Sequence, residues 1–552
     1  MLVAGLGGGA FGQEAGQPGA GSALPVVPAA MPVEPVPAAP LSPAQAAFRD
    51  ALTLETAPLD ADLRDGILGF YAARGFEPYW TATGSDGFAM LQLALEQSGA
   101  NGLPYRRYGA AALAETFASG ASVATREVAA SRSYVAYATD LNAGALRPSR
   151  VDPEIALKPT RLAPAVLLGK LDVAPLGAVL AELAPRSPDY RALMDEKARL
   201  EAIEERDGWG AGVGAGATLH PGDSGARVAE LRGRMGRLGY AAVATASEPA
   251  DQFGPALVAA VEAFQRDHGL NTDGAVGQRT LSEINTSPRA RLEQVVVNLE
   301  RMRWLNHDFG PRYILVNIPD FRATVYEAGQ PVWTSRVVVG EAKKTRTAEF
   351  SEVMTYLVVN PTWNVPSSIS KRDLLPKLRR DPMALSRSNM ELLTPAGTVI
   401  DPRLVDWNAL GDSFPFRIRQ SPNDGNALGK VKFMFPNDHA IYMHDTPHRE
   451  LFARDARAFS NGCVRLQDPD GLADLLLQGQ VADPAAAFDG WVAAKSEKTV
   501  MLTRPIPVNI VYRTVFVDDA GAIRYRDDVY GRDAEVFEAL EAAGVTLPVA
   551  EG

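Results

Sequence analysis

Cys463 is the single cysteine of the chain and sits in the stretch FSNGCVRLQDP, between a glycine and a Val-Arg pair. A lone thiol can close no internal disulfide and join no thiolate-rich metal cluster; taken singly it is more often an inert core residue than a nucleophile. Free cysteine has a pKa of about 8.5, so a nucleophile working at neutral pH needs a base beside it. The chain holds six histidines, His220, His268, His307, His439, His444 and His448, and all precede the thiol. Papain-like hydrolases have the opposite order, which removes that class. His444 closes the stretch AIYMH, where period-two alternation puts Tyr442 and His444 on one face of a strand. A strand, a loop and a return would bring that face to Cys463. Zinc on His444 and His448 would need a continuous helix, and Thr446-Pro447 interrupts it. Ser368-Ile369-Ser370-Lys371 spells the S-x-x-K of penicillin-binding enzymes, but no K-T-G follows it.

The elements around the thiol read as strands. RYILVNIP, FRATVYEAG, WTSRVVVG, VMTYLVVNPTWNVP, VKFMFP and HAIYMHD are short, β-branched and aromatic, with turn residues between them. About 367–429 the pattern changes to SSISKRDLLPKLRRDPMAL and polar loops, which reads as a helical insertion and a candidate lid. The stretch PIPVNIVYRTVFVDDAGAIRYRDDVYG reads as two more strands about a DDAG turn, completing one β-rich domain over 312–552. Upstream, 47–207 carries helical periodicity, 208–217 is a Gly-rich linker, 218–286 is a small three-helix module and 287–311 a linking helix. Residues 17–46 form a Pro/Ala-rich linker. Residues 1–16 are apolar and small, and read as the remnant of a signal or anchor that starts upstream. The expected fold class is therefore multidomain α+β. A net charge of −11 without a basic stripe argues against nucleic acid as a partner.

Two resemblances extend this reading. Gly222, Gly225, Val228 and Leu231, then Ala260 to Gln265, Gly269 to Gly274, and Gly277 with Thr280, resemble the peptidoglycan-binding domain type 1. YMHDTPHRELFARDARAFSNGCVRL resembles the signature of the L,D-transpeptidases (YkuD family): a histidine, a spacer, then S-x-G-C-x-R. NIPDF, VVVG, NPTWNVP and NALGKVKFMFPN resemble the large subgroup of that family, in which a helical scaffold and a peptidoglycan-binding module accompany the β-rich catalytic domain. One departure is Asn461, where many members have histidine.

The resemblance implies that Cys463 is the acylated nucleophile and His444 its base, oriented by a backbone carbonyl rather than by a carboxylate such as Asp445. It implies an oxyanion hole of backbone amides around Gly462 and Cys463, with Ser460, Asn461 and Arg465 lining the site. Tyr442 would border the donor groove and Trp363 the mouth near the lid. The implied reaction is a 3→3 cross-link between peptidoglycan stems through a cysteinyl thioester, with a tetrapeptide donor, a diaminopimelate acceptor, glycan contacts and no cofactor or metal. Hydrolysis (an L,D-carboxypeptidase) and D-amino-acid exchange at the same site remain alternatives, as does a non-catalytic wall-binding scaffold. Iodoacetamide reactivity at neutral pH and acylation by a carbapenem would separate an enzyme from a scaffold. The implied location is the periplasm or cell envelope, with the chain exported or anchored to the inner membrane.

Overall fold

The computed structural model describes residues 40–547 apart from 85, 207, 241–242 and 244–246. The segment read as a signal remnant, and most of the Pro/Ala linker, lie outside the described residues. The helical part begins earlier than its periodicity suggested. Ser42 accepts from the Gln45 amide, and the Gln45 side chain accepts from the Ser42 amide; this capping box starts a helix over Pro43–Thr56, inside the stretch read as linker. The long helix Val123–Ala143 is the spine of the bundle. Its buried Glu127 accepts from the Tyr71 hydroxyl at 2.6 Å and from the amides of Tyr79, Trp80 and Thr81, so one carboxylate satisfies a whole turn.

The linking helix, Pro288–Trp304, is no spacer. It runs through the bundle's core with Val295, Val296, Val297, Leu299 and Trp304 fully or nearly fully buried. Two later segments complete the same core: the hairpin of β14 (Val515–Val517) and β15 (Ile523–Tyr525), and the helix Arg532–Ala542, through Val515, Tyr525, Val536, Phe537 and Leu540. The DDAG stretch thus turns a hairpin as expected, but its apolar side chains join the scaffold core, and it touches the β domain through polar contacts of Arg526 with Asp320 and of Asp519 with Tyr326. Periodicity shows which face of an element is apolar, not which neighbour covers it.

The three-helix module contains Ala226–Arg237, Pro255–Asp267 and Gln278–Asn285 around Leu231, Val261, Phe264 and Ile284. The Gly-rich linker before it is pinned at both ends: Trp209 sits in the scaffold core and Val213 in the module core, while Arg234 and Arg237 donate to the Trp209 carbonyl. Ion pairs of Asp267 with Arg524 and of Arg279 with Asp527 dock the module on the β14–β15 hairpin.

The β domain is one nine-stranded sheet. Its strands are β1 (Arg312–Asn317), β2 (Arg322–Glu327), β3 (Gln330–Gly340), β4 (Phe350–Val359), β9 (Val431–Met434), β10 (Met443–His444), β11 (Ala458–Ser460), β12 (Val464–Leu466) and β13 (Lys498–Val511), in the order β11-β3-β12-β10-β9-β4-β13-β1-β2. A second pairing of β3 with β2 curls the sheet back on itself. The insertion differs from the helical reading. Besides short helical turns it has its own four-stranded sheet of β5 (Trp363–Asn364), β6 (Met390–Leu393), β7 (Val399–Ile400) and β8 (Arg417–Gln420), with a core of its own around Leu378, Trp407 and Ile418. Strands of two to four residues are too short to show alternation. No described helix is long and apolar enough to cross a membrane.

Candidate active site

Strand register builds the site. β10 runs parallel to β12, with Met443 opposite Val464 and His444 opposite Arg465. Met443, Val464 and Leu466 are buried in the sheet's core, so the alternate positions Tyr442, His444, Cys463 and Arg465 share the other face. On its other side β10 is antiparallel to β9, where Lys432 lies opposite His444 and joins that face. Two strands and a register thus bring the expected base and nucleophile to diagonal neighbouring positions.

The proton state follows from the surroundings. His444 is buried, and its Nδ1 lies 2.5 Å from the Asp445 carbonyl oxygen. A carbonyl can only accept, so Nδ1 carries the proton and Nε2 keeps its lone pair. Burial, then the Arg465 cation, and more weakly Lys432, pull the imidazole's pKa down to about 3 against a small opposing effect of that carbonyl. Burial likewise pushes the Cys463 thiol up to about 11, partly countered by hydrogen bonds from Tyr442 and by Arg465. The resting pair is neutral thiol and neutral imidazole. The thiol itself points at the Ala440 carbonyl, 3.8 Å away, and Ala440 holds a left-handed φ of 54°.

Asp445 serves structure: burial raises its pKa, its carboxylate accepts from the Lys430 amide at 3.0 Å, and it lies against Gly429, where any Cβ would stand 2.2 Å from it. Arg465 has no hydrogen-bond or salt-bridge partner among the described residues, and its Nε is buried without one. A guanidinium left unpaired beside the thiol is ready for an anion.

A set of hydrogen bonds holds the nucleophile turn. Ser460 Oγ donates to the Cys463 carbonyl at 2.5 Å and accepts from the Gly462 amide at 3.1 Å. Gly462 has φ of 106°, a conformation that favours glycine. Thr345 donates to the Ser460 carbonyl and Thr347 to the Gly462 carbonyl, each at 2.8 Å. Beyond them, Arg346 pairs with Asp152 and Glu154 of the scaffold, and buried Arg532 ties Asp152, Glu154 and Glu349 together. Asn461 accepts from Arg372, which stands on a single π-type turn, Ser370–Leu374, at the start of the insertion.

Of the residues nominated from sequence, Tyr442, His444, Ser460, Asn461, Gly462, Cys463 and Arg465 gather here. Trp363 does not: it pairs with Gln420 inside the insertion's sheet and packs on that unit's core. The Gly462 amide, nominated for an oxyanion hole, is engaged by Ser460. Tyr442 lies closer to the chemistry than a groove border, with its ring centroid 5.6 Å from that of His444 on the same face. Sequence reasoning missed Lys432, although VKFMF alternates core and face, and it missed Thr345 and Thr347, for which no local pattern exists; Arg372 reads from sequence as part of a basic face of the lid, and the structure puts it on Asn461.

Comparison with known proteins matches three stretches of the chain. Residues 311–486 match the family described as L,D-transpeptidase catalytic domain (YkuD), 65–196 the Scaffold domain, and 224–284 the family described as "Putative peptidoglycan binding domain". A Haemophilus influenzae (strain ATCC 51907 / DSM 11121 / KW20 / Rd) protein named "Putative L,D-transpeptidase" is 35% identical over 254 residues, 46% of this chain and 51% of that protein. The chain therefore spans about half the length of the curated relative it matches. Among solved structures, an L,D-transpeptidase from Xylanimonas cellulosilytica DSM 15894 is 14% identical, with 54% of this chain and 99% of that one covered at a TM-score of 0.16. A fused Zn-dependent amidase/peptidase/peptidoglycan-binding domain-containing protein from Clostridium acetobutylicum ATCC 824 is 13% identical, with 54% and 100% covered at a TM-score of 0.14. Neither likeness is close enough to bear on the fold. Within the β domain, residues 311–486 thus match the L,D-transpeptidase catalytic domain (YkuD), in a chain that also carries matches to a scaffold domain and a peptidoglycan-binding domain.

Proposed function

We propose that the chain forms 3→3 cross-links in peptidoglycan by two acyl transfers on Cys463. In the first, Sγ attacks the carbonyl of the L-centre of diaminopimelate in a tetrapeptide stem, and the thiol proton passes to His444 Nε2. The bond to D-Ala breaks, and the imidazolium returns that proton to the leaving amine. In the second, the side-chain amine of a neighbouring stem attacks the thioester. His444 takes the amine's proton, the new amide forms, and sulfur departs to be protonated again. A thioester retains enough acyl energy for an amine to compete with water where water is kept out.

The observation that carries this reading is the shared face of Tyr442, His444, Cys463 and Arg465, with the imidazole proton committed to Nδ1. The cations Arg465 and Lys432 suit the carboxylates of a stem peptide, and the contact of Arg372 with Asn461 lays the insertion over the nucleophile turn. The substrate places the work outside the cytoplasmic membrane, in the periplasm or envelope.

The test is incubation of the protein with tetrapeptide muropeptides, read by mass spectrometry. Cross-linked dimer that vanishes in Cys463→Ala is the expected result, together with a covalent carbapenem adduct on Cys463. Tripeptide alone would make the protein a carboxypeptidase. No product and no adduct would leave only a wall-binding scaffold. Slow alkylation by iodoacetamide no longer counts against catalysis, because a thiol with a pKa of about 11 is largely protonated at pH 7 whatever its role.

A further inference from the structure

One cleft of the molecule lies away from Cys463. It has a volume of about 1580 Å³ and is walled by the scaffold, the peptidoglycan-binding module, the β14–β15 hairpin and the β1–β2–β3 side of the catalytic sheet. On the catalytic wall stand Arg322, Arg336, Arg454 and Arg457. Arg457 is half-buried, and among the described residues its guanidinium hydrogen-bonds only to carbonyl oxygens, those of Phe321, Val337, Arg454 and Asp455. Arg336 likewise donates to the Phe452 carbonyl. The carboxylates nearest Arg457 are shared with other walls: Asp320 pairs with Arg526 at 2.5 Å, and Asp455 lies 3.8 Å from Arg279 of the module. Burial, with Arg336 and Arg322 as added like charges, brings the Arg457 pKa down to about 10. Arg322 pairs with Asp320 at 3.6 Å, whereas Arg336, Arg454 and Arg457 have no carboxylate within ion-pair distance among the described residues, although other acids, Asp308 and Asp519 among them, line the same cleft. Beside it, Tyr313 and Tyr326 stack at 5.1 Å, with Phe309 against Tyr313, and present an aromatic ledge.

We propose that this cleft is a second ligand site, which takes an anionic peptidoglycan strand with its glycan along the aromatic ledge and its stem carboxylates on the arginine cluster. The module's own wall of the cleft, which includes Gly269, Leu270 and Asn271, joins the strand to the unit whose family is named for that polymer. The cleft's catalytic wall adjoins β11 along the chain. Arg454 and Arg457 lead directly into β11, and the Arg457 carbonyl accepts from Val339 at 2.9 Å one strand away from β12. A strand held here keeps a stem within reach of the same β11–β12 turn that carries the thiol. The choice of ligand rests on the wall-acting function proposed above; the demand for an anion rests on the arginines alone.

The test uses the full chain in a Cys463→Ala background, so that turnover contributes to neither arm. Binding of uncross-linked glycan strands bearing tetrapeptide stems is compared between that protein and the same protein with Arg322→Gln and Arg454→Gln, at low and high salt. The expected result is about tenfold weaker binding and a shallower salt dependence in the glutamine variant, with most of the affinity kept when the two positions are lysine instead. A neutral chitooligosaccharide of the same length should bind weakly and equally to all three. Equal strand affinity in the arginine and glutamine proteins would overturn the proposal, and so would a chitooligosaccharide bound as tightly as the strand. An unchanged melting temperature checks that the variants fold. The acyl-transfer reading stands or falls separately, on the muropeptide products of the unmodified chain.

Discussion

On the proposed acyl-transfer reading, an uncharged thiol beside an uncharged imidazole is a nucleophile armed only as it reacts. Both shifts arise first from burial, so a donor that covers the face and brings its own carboxylate changes them together. In the free protein, alkylation of Cys463 should climb through pH 9 and 10 without a shoulder near neutrality. Tyr442→Phe, which removes a donor to sulfur, should slow it about two- to fivefold at pH 8. A stopped-flow pH series would show this, and a plateau below pH 8 would refute it. His444 also bears on stability. Its folded pKa of about 3 lies below the ordinary 6.5, so between those values the unfolded chain binds a proton that the folded chain refuses. Stability contributed at neutral pH is lost as pH falls through that window, at up to about 1.4 kcal/mol per unit. Urea melts of the wild type and His444→Gln at pH 7 and pH 5 should show the variant losing less on acidification. This residue-level chemistry was the most legible part of the chain. Alternation in AIYMH put Tyr442 and His444 on one side, and the combination of that histidine with Ser460, Gly462, Cys463 and Arg465 pointed to a site where each residue alone did not. Lys432 showed the same alternation and was overlooked because a lysine in a strand reads as an ordinary solvated position.

At the scale of elements, short strands set the positions and loops from elsewhere hold them. β10 and β12 supply register, but the turn between Ser460 and Cys463 is steadied by Thr345 and Thr347, more than a hundred residues upstream. Nothing in a linear pattern announces such a pairing, which is why the strand face was readable and its bracing was not. The insertion makes the same point. Its lid-like position followed from a change of composition inside a β domain, whereas its sheet did not, because each strand is too short to reveal a period. Arg372 is its contact with the nucleophile turn. Arg372→Ala should shift the product ratio from cross-linked dimer towards hydrolysed tripeptide, with little effect on melting temperature, as read by chromatography of digested muropeptides. An unchanged ratio would mean that the contact does not govern access of water.

For the molecule as a whole, the ties between units matter more than the units' own cores. Arg532 is fully buried among Asp152, Glu154 and Glu349, so it binds scaffold, catalytic sheet and late helix at one point. Replacing it by methionine strands buried carboxylates and should cost about 3–5 kcal/mol. Calorimetry should find scaffold and catalytic domain destabilised together; independent melting, with only one transition moved, would contradict the arrangement. The same topology has a consequence in time. The bundle's first helix, Pro43–Thr56, emerges from the ribosome about 460 residues before the hairpin that begins at Val515, an interval on the order of tens of seconds at ordinary rates of synthesis. During that wait its apolar face is a hazard and a ready mark for chaperones. A chain that stops short of Arg532 keeps its cysteine yet leaves the turn around it slack, so translation that fails late yields a protein already disarmed.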